Sequence, residues 1–212
     1  MGVYRNQVLP RIQNVVMDLG DSRETRARVC RGLSGSVVEI GFGSGLNLPH
    51  LPPGVEGVWA VDPALVGRRL SAERRSRSGV PVHFEGTDAT VLPFDDDRFD
   101  AALSTWTMCT LPDPVAALRE VARVLAPGGV LHFAEHGRST DERVARRQLR
   151  WDPVQKRLAG GCHLSRDIPG LLADAGFEVL EISTHLEKGA PKVIGFTYEG
   201  RARPEGTAPP AR

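Results

Sequence analysis

The run Val37-Val38-Glu39-Ile40-Gly41-Phe42-Gly43-Ser44-Gly45-Leu46-Asn47 constrains this chain more than any other stretch. Two valines and an isoleucine surround one carboxylate, and three glycines then alternate, so it reads as a buried strand, a tight turn and a helix start. Glycines at 41, 43 and 45 let the backbone take positive φ and approach a ligand with no Cβ in the way. A dinucleotide fingerprint would place its third glycine at the sixth position, which is Leu46, and the loop lacks the Gly-Lys-Ser/Thr end of a triphosphate loop. The turn therefore suits a nucleoside without a diphosphate.

Two further stations fall at strand ends. Asp62 closes the apolar stretch Val55 to Val61, about 20 residues past the first glycine, where an acid can receive both ribose hydroxyls. Its other reading is a helix cap; Pro63 after it cannot continue a strand ladder. Asp88 and Ala89, in Gly86-Thr87-Asp88-Ala89, follow the strand expected over Val82 to Glu85. An acid and an amide there can read an adenine edge, or the acid can simply close a turn. Glu39 needs partners in a buried strand: either it accepts the loop's own amides, or it also holds a cationic ligand group.

With Leu92-Pro93-Phe94-Asp95-Asp96, Phe99-Asp100-Ala101-Ala102-Leu103-Ser104, and Leu118 to Gly129 leading into Val130 to Glu135, these stations resemble the class I S-adenosylmethionine-dependent methyltransferases over residues 35–199. The resemblance implies a Rossmann-like α/β sandwich: a seven-stranded, mainly parallel sheet with one antiparallel strand. It implies S-adenosylmethionine as cofactor and S-adenosylhomocysteine as product, held by the residues above together with Asn47, Ser104 and Thr105. Glu135-His136, Trp151-Asp152-Pro153 and Gly161 to Arg166 further resemble the methyltransferase-like 7 thiol S-methyltransferases and their bacterial relatives. That nearer likeness implies a thiol or sulfide acceptor. A quinone precursor, a phenol or a phospholipid amine is the alternative acceptor, and a catalytically silent cofactor-binding protein the alternative outside enzymes.

Composition agrees with one enzyme domain: 212 residues, 41% of them hydrophobic, leave room for one core, and a net charge of +1 gives none of the basic excess of a nucleic-acid binder. Three cysteines without paired short spacing suggest neither a disulfide framework nor a metal knuckle, and a reducing cytoplasm suits them. No apolar run reaches the length of a membrane span. Here the chain departs from the animal thiol methyltransferases it resembles, which carry an N-terminal hydrophobic anchor.

Val8, Ile12, Val15, Val16 and Leu19 recur at helical spacing, so residues 1–34 are expected to form a helical cover, the first helix laying that stripe on the domain or over its cleft, and the second spanning Asp21 to Leu33. A helix is expected over Ala64 to Arg77, and one capped by Asp113 stops at Pro127-Gly128-Gly129. Residues 137–167 form a cap segment, then come a helix from Ile168 to Ala175 and antiparallel strands near Phe177 to His185 and Val193 to Tyr198. Proline, glycine and alanine predict a disordered tail over 200–212. Residues 138–157 hold seven basic side chains against three acids; a solvated helix face explains this, or a surface weakly touching anionic lipid.

Methyl transfer asks little of the protein beyond alignment, with a base only where the nucleophile arrives protonated. His136, His163 and Asp152 are the candidates for that help, with Tyr4 if the N-terminus folds over the cleft. Cys109 reads as a small packing residue near the methyl donor, Cys162 as a poor covalent nucleophile for a direct transfer, and Trp106 and Met108 as linings of an apolar acceptor pocket.

Overall fold

The computed structural model describes residues 8–207, so Tyr4 lies outside the described residues. Seven strands form one sheet in the order β3-β2-β1-β4-β5-β7-β6. β1 (Gly35–Ile40), β2 (Val55–Val61), β3 (Val82–Phe84), β4 (Phe99–Thr105) and β5 (Leu125–His136) run parallel; β7 (Phe196–Pro204) lies antiparallel between β5 and β6 (Phe177–Leu186). The strand order reverses between β1 and β4, which is where open α/β sheets form a ligand crevice at their carboxyl ends.

The apolar faces of the central strands fix this arrangement. Val37, Val38 and Ile40 are at most 1% exposed, because β1 has strands on both sides and helices on both faces. One face packs Val38, Ile40, Phe99, Leu131 and Phe133 against Leu118, Val121 and Val124 of α5 (Pro114–Val124) and Ile168 and Leu172 of α7 (Ile168–Asp174). The other packs Val37, Val58, Leu103 and Ala134 against Val29 and Cys30 at the end of α2 (Asp21–Val29). Asp113 caps α5 by accepting from the Ala116 amide at 2.9 Å, with Pro114 in the first turn.

Several expected elements come out differently. α1 (Leu9–Val16) turns its apolar stripe outward: Val8, Ile12, Val15, Val16 and Leu19 are 41–61% exposed, and only Leu9 is buried. Arg74 decides the orientation, since its guanidinium donates to Asn14 Oδ1 at 2.9 Å and to Asp18 Oδ2 at 3.2 Å and so draws the polar side of the segment inward. α2 stops at Val29, short of Leu33, because the chain turns at Gly32 with φ +88°. The helix expected over 64–77 is two, α3 (Leu65–Leu70) and α4 (Ala72–Ser78), meeting at Ser71, whose hydroxyl donates to the Arg68 carbonyl. The expected tail also shortens. β7 continues through Pro204, because Ala202 is fully buried and Arg201 and Arg203 pair with Glu181 and Glu178 of β6; residues 208–212 lie outside the described residues. The cap segment is dominated by α6 (Glu142–Leu158), with Asp152-Pro153 inside it rather than at its end.

Candidate functional site

The glycine turn leaves β1 at the centre of the crevice. Gly41 sits at φ +75° with its absent side chain facing Thr107, so any Cβ would collide with that hydroxyl. Gly43, at φ +56°, faces free space: a Cβ built there meets nothing nearer than 3.9 Å. Behind it, Gly67 of α3 packs so closely that a Cβ would lie 2.6 Å from the Gly43 carbonyl oxygen. Gly45 packs inward on Leu48, Phe42 and Ser71. Asp62, at the end of β2, accepts from the Gly43 amide at 2.7 Å and the Ala64 amide at 2.6 Å, which ties the turn to the neighbouring strand. Burial raises its carboxyl above the ordinary value against those two donors.

Beneath the turn lies a polar cluster that is almost wholly buried. Glu39 accepts from Asn47 Nδ2 at 2.7 Å; Asn47 also donates to Thr105 Oγ1 at 3.0 Å; Arg26 donates from one nitrogen to Asn47 Oδ1 at 2.7 Å and Thr105 Oγ1 at 2.8 Å. Three buried polar atoms here have no hydrogen-bond partner among the described residues: Glu39 Oε2, Arg26 Nε and Trp106 Nε1. They belong to one place, for the Arg26 guanidinium lies 4.6 Å from the Trp106 ring centre. Burial pushes Glu39 up to about 7 and Arg26 down to about 10. The sequence motifs do not single out Arg26, one of three arginines in α2. The signal was there, since the buried positions of α2, Ser22, Thr25, Arg26 and Val29, follow the spacing of one helix face.

The remaining expected cofactor residues scatter more widely. Ser104 is fully buried and donates to Glu135 Oε1 at 2.7 Å. Ala89 is buried in the core, while Pro63 is exposed beside the turn. Asp88 is exposed and takes the Thr90 amide and hydroxyl at 2.9 and 2.7 Å, a locally closed turn that holds its carboxyl below the ordinary value.

On the far side of Trp106, β5 delivers Glu135 and His136. Glu135 accepts from the amides of Thr107 and Cys109 at 3.0 and 3.1 Å and so shapes the loop after β4, in which Trp106 adopts φ +49°. His136 is 9% exposed, its ring centre 6.1 Å from that of Trp106 and its Nδ1 3.7 Å from Cys162 Sγ. Burial alone would push the imidazole down; Cys162 and Glu187 outweigh it and leave His136 above its ordinary value. Cys162 Sγ lies 3.7 Å from Cys109 Sγ, and this contact, opposed by burial and helped by His136, favours the Cys162 thiolate while raising Cys109.

Asp152 and His163 stand apart from this group. Asp152 uses both oxygens on the following loop, taking the Leu164 amide at 2.7 Å and the Ser165 hydroxyl. His163 directs Nδ1 to the Gly161 carbonyl at 2.6 Å. Met108 is fully buried in the core rather than lining a pocket.

Comparison with known proteins places this geometry in a family. Residues 38–133 match the family described as "Methyltransferase domain". Thiol S-methyltransferase TMT1B of Homo sapiens is 31% identical over 162 residues, covering 71% of this chain and 64% of that one. A demethylmenaquinone methyltransferase of Mycobacterium sp. (strain JLS) is 32% identical over 138 residues, covering 63% and 57%. The chain thus spans less than two thirds of the length of these curated relatives. Among solved structures, the N-methyltransferase NodS from Bradyrhizobium japonicum WM9, in complex with S-adenosyl-L-homocysteine, superposes with a TM-score of 0.71 at 18% identity, covering 95% of this chain and 98% of that one. In its sheet order, its methyltransferase domain match over residues 38–133 and the alternating glycines of its turn, this chain is similar to the class I S-adenosylmethionine-dependent methyltransferases.

Proposed function

We propose that this protein transfers the methyl group of S-adenosylmethionine to a small-molecule thiol or sulfide. The observation that carries the cofactor half is the set of three unpartnered atoms beneath the glycine turn. One acceptor, Glu39 Oε2, and two donors, Arg26 Nε and Trp106 Nε1, are the polar complement of an amino acid's ammonium and carboxylate. Each such buried atom costs about 1–3 kcal/mol when unpaired, so a ligand completing all three gains more than its own contacts. Asp62 would receive the ribose, the open side of Gly43 would take the ligand's closest approach, and the loop at Asp88 and Ala89 would border the base.

When bound, the cofactor supplies a methyl group already activated by its sulfonium. The protein's part is then to hold two reactants in line and exclude water. Arg26, Glu39 and Asn47 anchor the amino-acid end, and Trp106 neighbours both the Arg26 guanidinium and the His136 ring, beside which lie Cys109 and Cys162. Those three side chains are buried together, surroundings that suit a small polarisable nucleophile. The likeness to a thiol S-methyltransferase supports sulfur as the acceptor atom.

The likeness to a demethylmenaquinone methyltransferase favours a second reading, a quinol or phenol acceptor. Transfer of labelled methyl from S-adenosylmethionine to a panel of hydrogen sulfide, alkyl thiols, phenols and quinols separates the two. Product on sulfur alone is the expected result; product only on oxygen or carbon refutes the thiol reading. Cofactor binding without product from any acceptor would support a silent binding protein.

A further inference from the structure

We infer that Cys109, His136 and Cys162 form a three-ligand site for a soft divalent cation, zinc by chemistry, whose open fourth position takes the acceptor thiolate. The ligand atoms of these three side chains all lie within 4.8 Å of one another, drawn from the loop after β4, the end of β5 and the loop after α6. Tetrahedral zinc with bonds of about 2.3 Å to sulfur and 2.0–2.1 Å to nitrogen sets ligand separations of about 3.8 Å between sulfurs and about 3.5 Å from sulfur to nitrogen. The observed Sγ–Sγ and Sγ–Nδ1 distances are both 3.7 Å.

Charge and the groups behind the three side chains agree. Two thiolates and a neutral imidazole cancel a divalent charge, so the filled site is neutral where an isolated ion would be costly. His136 would bind through Nδ1; its Nε2 lies 4.0 Å from Glu187 Oε1, itself held by the Thr197 hydroxyl at 3.3 Å. A carboxylate behind a ligating histidine is the usual way such a ring is oriented. The two cysteine loops are also joined, since the His163 amide donates to the Cys109 carbonyl at 2.8 Å, and Asp152 anchors the second loop through Leu164.

Three protein ligands leave one position open, the arrangement of reactive rather than structural zinc. The role of that position rests on the thiol reading above. An arriving thiol would lose its proton to solvent on coordination; its sulfur lone pair would then form the new carbon–sulfur bond while the sulfonium–methyl bond breaks, that electron pair staying on the departing thioether. The metal remains divalent throughout.

Cobalt(II) added to the full chain, stripped of metal and held in a phosphine reductant, provides the test. One equivalent should bind and show thiolate-to-cobalt bands in the near ultraviolet with the intense visible bands of a tetrahedral ion, and zinc should displace it. Cys109→Ala and Cys162→Ala should lose those bands, whereas Cys30→Ala, in the α2-side core, should keep them. Glu187→Gln should weaken cobalt binding about 10- to 100-fold while leaving the band shape intact. Folded, reduced wild-type protein showing no cobalt band overturns the site, and needs no variant to fold. Bands that a small alkyl thiol leaves unchanged overturn the acceptor role. Methylation of thiols by metal-stripped protein refutes the metal while sparing the thiol reading; a cobalt site in a protein that methylates only oxygen or carbon refutes the acceptor class while sparing the metal.

Discussion

Replacing Glu39 by glutamine tests whether this carboxylate is held in reserve for a cation. In the ligand-free protein, burial pushes Glu39 from its ordinary 4.5 up to about 7, with Asn47 and Arg26 pulling it down and Asp62 pushing it up. At about 1.36 kcal/mol per pH unit, that rise corresponds to about 3 kcal/mol. A carboxyl whose folded pKa is raised contributes its full stability below about 4.5 and loses it as pH climbs through about 7. Glu39→Gln never ionises, so its stability should gain on the wild type by about 3 kcal/mol between pH 4.5 and pH 8. At about 2–4 °C per kcal/mol for a domain of this size, the two melting temperatures should separate by about 6–12 °C over that range. Binding should show the opposite preference. A ligand ammonium at Oε2 needs the ionised carboxylate, whose fraction grows from about one tenth at pH 6 to about three quarters at pH 7.5, while a free α-amino group, with a pKa of about 7.7–8.0, begins to lose its own proton at the upper end. Wild-type affinity for S-adenosylmethionine should therefore strengthen about five- to sixfold across that interval, and the variant should bind weakly with no such rise. Thermal scans and calorimetric titrations at each pH read both quantities. A melting-temperature difference that stays constant with pH, together with flat wild-type affinity, would refute the assignment.

Arg26→Lys keeps the charge but loses Nε and the planar guanidinium whose one terminal nitrogen reaches both Asn47 and Thr105; calorimetry should find cofactor affinity about 10- to 100-fold weaker. Gly43→Val fills the open side of the turn and strains a φ of +56°, so cofactor binding should fall at least tenfold; retained tight binding would mean the ligand does not approach that face. Asp62→Ala frees the amides of Gly43 and Ala64 and should weaken cofactor binding by about 1–3 kcal/mol, and unchanged affinity would remove it from the site. Asp152→Ala leaves the Leu164 amide unpaired and should lower stability by about 1–3 kcal/mol in denaturant unfolding, with cofactor affinity unchanged.

The cofactor half of the crevice was legible because its signals are local. Strand, alternating glycines and Asp62 lie within 26 consecutive residues, and backbone sterics alone dictate where glycine must stand. The count of seven strands followed from the family likeness rather than from periodicity, since β3 has three residues and carries little pattern of its own. What escaped was long-range or driven by a single side chain. No spacing rule links Cys109, His136 and Cys162, which meet only because three separate strand and helix ends converge. The outward stripe of α1 depends on one arginine sixty positions away in sequence. The composition of residues 200–204 suggested a tail, yet alternating burial against β6 and β5 holds them in the sheet.

That last strand carries a consequence for the order of assembly. β7 is late in the chain but sixth across the sheet, and it pairs Thr197 with His136 and Tyr198 with Glu135. Strands β1 to β5 can associate during synthesis as soon as residue 136 has emerged, each laid parallel against a neighbour already present. β6 has no partner until β7 slides between it and β5. A growing chain can thus finish the pocket under the glycine turn while the histidine side still has an open edge, so the two reactants' berths mature one after the other.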